Sequence, residues 1–213
     1  MKVQVFTVNP FQQNTSVVYN ANKDAVIIDP GFYNKQEEQE LMRFIEVQNL
    51  KVHAVLNTHC HIDHVFGNAF CIQTFNVPFY AHKEELFTLE YAERSAQMYG
   101  LDYRNPSPLP TYFVEDLETI SFGQLSFQVI FGPGHSVGHV AFYNAENNLL
   151  IGGDILFKGS FGRVDLPGGS LETLKETLFN RIFTLPENTI VYPGHGPTTT
   201  IGEEKTSNYI FQF

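Results

Sequence analysis

At 213 residues the chain can hold one domain with a full hydrophobic core, and 43% hydrophobic residues without long polar or Ser/Gly tracts exclude a disordered protein. A formal charge of -10 disfavours nucleic acid as a partner, because its phosphates require clustered Lys and Arg. The opening Met1-Lys-Val-Gln-Val-Phe6 lacks the apolar run of a signal peptide, no stretch reaches the length of a membrane span, and Cys60 and Cys71 are too few for a disulfide framework. A cytoplasmic protein with reduced thiols and no membrane association is therefore expected.

In chain order, β-rich runs are expected at Lys2–Val8, Thr15–Tyr19 and Ala25–Ile28, the last closing on the turn signal Asp29-Pro30-Gly31. Lys35–Leu50 reads as a helix with Leu41, Phe44 and Ile45 on one face. Val52–Thr58 is a strand, followed by helices over His64–Phe75 and Lys83–Tyr99 around a strand at Pro78–Ala81. The Pro-rich Asn105–Pro110 breaks this pattern and reads as a loop joining two halves of one domain, because candidate ligands lie on both sides of it. From Tyr112 a second β-rich region begins, with strands at Ser126–Phe131, Val140–Tyr143 and Leu149–Ile151. Ser170 can cap a helix over Leu171–Thr184 whose inner face carries Leu171, Leu174, Leu178 and Ile182, and Thr189–Tyr192 is a last strand. The apolar tail Tyr209, Ile210, Phe211 and Phe213 is expected to dock on the domain or to join two copies in a homo-oligomer.

The densest chemical signal is Asn57-Thr-His-Cys-His-Ile-Asp-His64, where His59, His61, Asp63 and His64 form the pattern His-x-His-x-Asp-His. Clustered imidazoles and a carboxylate are costly to bury unless a cation pairs with them. His59 and His61, two apart in extended chain, point the same way and can share one ion, while Asp63 and His64 follow the turn and face a neighbouring ion. Three later sites complete the set: His135 in Gly132-Pro-Gly-His135, Asp154 after Gly152-Gly153, and His195 in Gly194-His-Gly196, each at a strand end. Cys60 alternates away from the ion, His53 and His82 match no position in the pattern, and His139 is expected to support a ligand rather than to be one. Asp29 reads as a turn residue that can also reach a ligand His.

These motifs resemble the metallo-β-lactamase superfamily and, within it, compact glyoxalase-II-like hydroxyacylglutathione hydrolases. The run Gly153-Asp154-Ile-Leu-Phe-Lys-Gly-Ser-Phe-Gly-Arg163 and the closing Gly194-His-Gly-Pro-Thr-Thr-Thr-Ile-Gly-Glu203 carry the resemblance further. It implies an α/β fold, a four-layer αβ/βα sandwich forming one domain over residues 1–213, with a two-metal site at its edge. By motif, His59, His61 and His135 would hold one ion, Asp63, His64 and His195 the other, and Asp154 both. The ions expected are zinc, with iron or manganese as alternatives. Asp63 and Asp154 are the expected catalytic carboxylates, and Lys158 and Arg163 the expected substrate contacts.

Two divalent ions, partly neutralised by Asp63, Asp154 and a bridging hydroxide, retain positive charge that suits an anionic tetrahedral intermediate. A thiol with a pKa of about 8.5 leaves as thiolate without a strong acid, whereas an amide needs a proton donor. A small-molecule thioester is therefore the expected substrate, and the resemblance points to an S-acylglutathione such as S-lactoylglutathione. Two departures bear on glutathione recognition. Only residues 196–213 follow the last ligand, too few for the C-terminal helical domain of full-length glyoxalase II, and Asp165 stands where that pattern has Tyr and should both weaken and hold Arg163. The rival reactions are a mononuclear-iron glutathione persulfide dioxygenase, suggested by Gly162-Arg-Val-Asp165, and a lactonase or other ester hydrolase of the same fold. A true β-lactamase is disfavoured.

Overall fold

In the computed structural model, which describes residues 1–213, the strands β1 (Lys2–Val8), β2 (Gln13–Tyr19), β3 (Asp24–Ile28), β4 (Lys51–Leu56), β5 (Phe79–His82) and β6 (Tyr112–Val114) lie side by side in sequence order. The first three are antiparallel and the rest parallel. A second sheet orders β12 (Thr199–Thr200), β11 (Ile190–Pro193), β10 (Leu149–Gly153), β9 (Val140–Asn144), β8 (Leu125–Phe131) and β7 (Thr119–Phe122), antiparallel except at β10–β11.

Strand alternation divides the core into three layers. Along β3, Ala25 and Ile27 face the outer helices, while Val26 and Ile28 face the second sheet. Along β9, Val140 and Phe142 enter that central layer, while Ala141 and Tyr143 turn to the opposite helical side. Helices α1 (Lys35–Gln48), α2 (Ile62–Val65), α3 (Asn68–Phe75), α4 (Leu86–Glu90) and α5 (Ala92–Met98) accompany the first sheet; α6 (Leu171–Thr177) and α7 (Ile201–Ser207) accompany the second. The result is the four-layer αβ/βα sandwich.

Local chemistry sets the boundaries. Asn34 caps α1 by accepting from the amides of Gln36 and Glu37, and Asn49, with φ 53°, ends it in the left-handed region. Ser170 caps α6 through the Thr173 amide, after which the chain widens into a π-turn over Leu178–Ile182 rather than continuing as α-helix. The expected helix His64–Phe75 is broken because the Gly67 amide donates to the Pro30 carbonyl at 2.7 Å, drawing the chain against the turn after β3. The expected helix Lys83–Tyr99 is instead a 3₁₀ turn, Lys83–Glu85, followed by α4 and α5. Its start is pinned by Glu85, whose side chain turns inward. Tyr112–Val114 does not open a second β region but pairs with β5 to complete the first sheet. The tail docks on its own domain: Ile210 is fully buried in the α6 layer and Phe211 stacks on Phe183 at 5.8 Å.

Candidate metal centre

Five of the seven candidate ligands sit where a strand has just ended: His59 and His61 after β4, His135 after β8, Asp154 after β10 and His195 after β11. Asp63 and His64 lie in α2, directly after the turn. The sandwich brings these strand ends to one edge, the usual place for ligands in layered α/β folds. At Asp154 the aim depends on glycine: the β10–β11 register slips between Ile151 and Gly153, and Gly153 takes φ 51°. The neighbouring Gly194 is required by space, because a Cβ there would lie 2.1 Å from Asp154 Oδ1.

His59, His61 and His135 form one cluster of nitrogen donors, and Asp63, His64 and His195 a second group. Hydrogen bonds fix which ring nitrogen each presents. His135 Nδ1 donates to the Arg163 carbonyl at 2.7 Å, leaving Nε2 as a lone pair. The Thr58 hydroxyl donates to Asp29 Oδ2 at 2.6 Å, so at 3.1 Å it can only accept from His59 Nδ1. His59 Nε2 is then a lone pair as well, and it lies 3.2 Å from His135 Nε2. His61 Nδ1 approaches the same point, 2.8 Å from His135 Nε2. Lone pairs do not converge in this way unless a cation sits between them. The spacing approaches the edge of about 3.3 Å expected for a tetrahedron with ion–nitrogen bonds of about 2.0 Å. Burial and neighbouring His135 lower His61 to about 3, and burial lowers His135 to about 4, so both rings are neutral ligands at pH 7.

The second group is built around charge. His64 Nδ1 lies 3.1 Å from Asp29 Oδ2, and its Nε2 is buried without a hydrogen-bond partner, 3.5 Å from Asp154 Oδ1 and 3.6 Å from Asp63 Oδ2. Although burial opposes it, the charges of Asp63, Asp154 and Asp29 hold His64 up to about 10. The site therefore retains a proton where positive charge is needed, and an ion would take over that part. His195 Nε2 lies 3.1 Å from Asp63 Oδ2 and 3.6 Å from Asp154 Oδ2. Asp154 thus faces both groups, with Oδ2 also 3.5 Å from His135 Nε2 and Oδ1 buried and unpartnered. The residues fit two ions sharing one carboxylate.

Behind these donors lies a frame that sequence reasoning found only in part. Asp29 accepts from the Thr58 amide and hydroxyl, both at 2.6 Å, and from Asn57 Nδ2; these bonds occupy its carboxylate and make it the orienter of His64. His139 stacks on His59 at 4.7 Å, and its Nε2 accepts the Asp154 amide at 3.0 Å. Glu85, fully buried, accepts from the Cys60 and Gly138 amides and the Ser136 hydroxyl, tying together the two loops that carry His59, His61 and His135. Asn14 reaches across to the Pro193 and Gly196 carbonyls and fixes the His195 loop. Nothing in the spacing of Glu85 or Asn14 marks them. The only hint for Asn14 is an uninterrupted polar run, Gln12–Ser16, beside Val17 and Val18.

Above the metal site opens a cleft of about 720 Å³. Its lining includes Arg163, while Lys158 lies outside it on the surface with its ammonium 3.9 Å from Glu203. Arg163 spends its guanidinium on Asp165, with Nε–Oδ1 and Nη2–Oδ2 both 2.7 Å. Cys60 is fully buried, pointing away from the site.

Residues 8–195 match the family described as Metallo-beta-lactamase superfamily. The chain is 34% identical over 209 residues to Hydroxyacylglutathione hydrolase GloC of Haemophilus influenzae, covering 98% of this chain and 97% of that one. Among solved structures, BLEG-1 B3 metallo-beta-lactamase is 34% identical with a TM-score of 0.89 and full coverage of both chains. TTHA1623 in a di-iron-bound form is 39% identical with a TM-score of 0.86, over 97% of this chain and 99% of that one. With these matches the donor geometry describes a metal-dependent hydrolase, and the chain belongs to the metallo-β-lactamase superfamily.

Proposed function

We propose that this hydrolase cleaves thioesters, with S-acylglutathiones such as S-lactoylglutathione as substrates, and that two divalent ions, zinc first among them, are held by His59, His61 and His135 and by Asp63, His64 and His195, with Asp154 shared. Bound there, such ions supply an activated water nucleophile and a Lewis acid for the thioester carbonyl. The observation that carries the reading is that every imidazole and carboxylate lining the cleft (His61, Asp63, His135, Asp154 and His195) belongs to the ligand set. None is left free to protonate a poor leaving group, so the site suits one that departs as an anion, and a thiolate does. Asp29 and the Arg163 carbonyl keep His64 and His135 in the tautomers that leave Nε2 facing the site. His139 holds the backbone of Asp154, so the shared carboxylate needs no reorganisation when charge develops in front of it. The relative from Haemophilus influenzae, described as a hydroxyacylglutathione hydrolase, supports the substrate class.

The test sets S-lactoylglutathione, a peptide amide, a β-lactam and glutathione persulfide before the same metal-analysed protein. Thioester hydrolysis is expected to be fastest, to vanish on chelation and to return with added zinc, iron or manganese. Oxygen uptake on the persulfide with one iron per chain, or faster turnover of the β-lactam, would overturn the proposal.

A further inference from the structure

One wall of the cleft is a single helical face. Phe87, Tyr91, Arg94 and Met98 recur at four-, three- and four-residue spacing through α4, the Tyr91 junction and α5, with Thr88 and Ser95 beside them, and all line the cavity. The large apolar members stay open, with Phe87 41%, Tyr91 38% and Met98 76% exposed. Contiguous apolar side chains left uncovered in a concave site mark a place where a ligand lies. A cation, Arg94, interrupts the face; it is exposed, and its guanidinium takes part in no ion pair or hydrogen bond.

The cleft is lined by a second cation, Arg163, and it is already engaged. The Arg163 guanidinium grips Asp165 through two parallel 2.7 Å bonds, the geometry with which arginine would take a carboxylate ligand. An internal carboxylate therefore sits where the substrate's would. Meanwhile the Arg163 carbonyl accepts from His135 Nδ1 at 2.7 Å, so pinning this side chain also pins the segment that orients a metal-facing ring. In a chain of formal charge -10, an anionic substrate arm needs a cation that no internal acid has claimed.

We infer that Arg94 binds the carboxylate of the substrate's thiol arm, that Phe87, Tyr91 and Met98 carry the substrate's apolar acyl group, and that Arg163 is a positioning residue. The inference rests on the thioesterase reading for the identity of the arm. Its test is binding without turnover: calorimetry of S-hexylglutathione, which has no thioester bond, with the metal-loaded protein. Arg94→Ala, an exposed substitution, should weaken binding about 10- to 100-fold, the range of a charged hydrogen bond, and Arg94→Lys should recover part of it. With S-lactoylglutathione the loss should fall on KM, with kcat held within about twofold. Arg163→Ala should weaken S-hexylglutathione less than Arg94→Ala does, while lowering metal affinity about tenfold or more. No binding by the wild type, equal binding by Arg94→Ala, or a larger binding loss in Arg163→Ala than in Arg94→Ala would each overturn the inference. Binding through Arg94 without hydrolysis of any thioester would sink the thioesterase reading and leave the anchor in place.

Discussion

Beneath the cleft, in the floor that supports its ligands, His59, His64 and His139 are fully buried, and each ring is held by a side chain, a backbone amide or a stacked neighbour. On the helical wall Phe87, Tyr91 and Met98 stand partly in solvent, on helices of five and seven residues. The floor is fixed by polar bonds that reach across the sandwich: Glu85 to Cys60, Ser136 and Gly138, and Asn14 to Pro193 and Gly196. The wall holds its place mainly through small buried residues, Ala92 and Ala96. Ligand geometry must be accurate to fractions of an ångström, so the protein spends buried hydrogen bonds there. Substrate shape tolerates a looser surface, and the wall can vary without disturbing the chemistry.

The sharpest way to break this comparison is Asp154→Asn. Removing the shared negative charge should release metal and lower thioester turnover beyond the roughly 10- to 100-fold that changes to a ligand's supporting partners cost. Elemental analysis and steady-state rates measure both. Two retained ions with full activity would show that Asp154 is not the link between the two groups.

Glu85→Ala should follow, with its effect on stability rather than on metal identity. It strands two backbone amides and a hydroxyl in the interior, and each unsatisfied buried donor costs about 1–3 kcal/mol. A loss of about 3 kcal/mol or more is expected from urea unfolding. A loss below about 1 kcal/mol would mean that water reaches these donors and the floor is less tightly built than its bonds suggest.

Asp29→Asn tests the floor more gently. The amide is nearly isosteric but neutral, so it loses the charge that holds the His64 proton on Nδ1. The affinity of one of the two ions should fall about 10- to 100-fold while the other is kept. Competition with a graded chelator would show one stoichiometric ion leaving early. Simultaneous loss of both would mean that Asp29 supports the whole edge rather than His64 alone.

The same contrast explains what could be read from the sequence. Strands β1, β3, β8 and β9 were legible because apolar residues recur with the period of a buried sheet, and the seven candidate ligands were legible because glycines and strand ends bracket them. Glu85 was not, since a glutamate in a helix-like stretch is usually solvated, and only the loops from Cys60 and Ser136 make it an interior acceptor. The helix breaks at Gly67 and around Tyr91 were hidden for a related reason. One is set by the Pro30 carbonyl accepting the Gly67 amide, the other by a tightened turn in which the Tyr91 amide donates to the Thr88 carbonyl, and neither leaves a periodic trace. The π-turn after α6 was hidden because Leu174, Leu178 and Ile182 keep a helical spacing through it.

The smallest expected effect on stability is the one that most directly separates wall from floor. Met98 is 76% exposed, so truncating it to alanine removes little apolar area that folding had buried. Surface changes of this kind usually lie within about 0.5 kcal/mol, and alanine is if anything the better helix former. The melting temperature and metal content of Met98→Ala should therefore match the wild type. Affinity should not, if this side chain covers the substrate. Each methylene withdrawn from contact with an apolar acyl group costs about 0.8 kcal/mol, so KM for a long-chain thioester should rise several-fold while that for a short-chain one barely moves. A chain-length series on wild type and Met98→Ala reads this difference, and parallel curves for the two proteins would show that the acyl group lies elsewhere. A fall in melting temperature or metal content would carry the stronger lesson, because the wall would then support the floor.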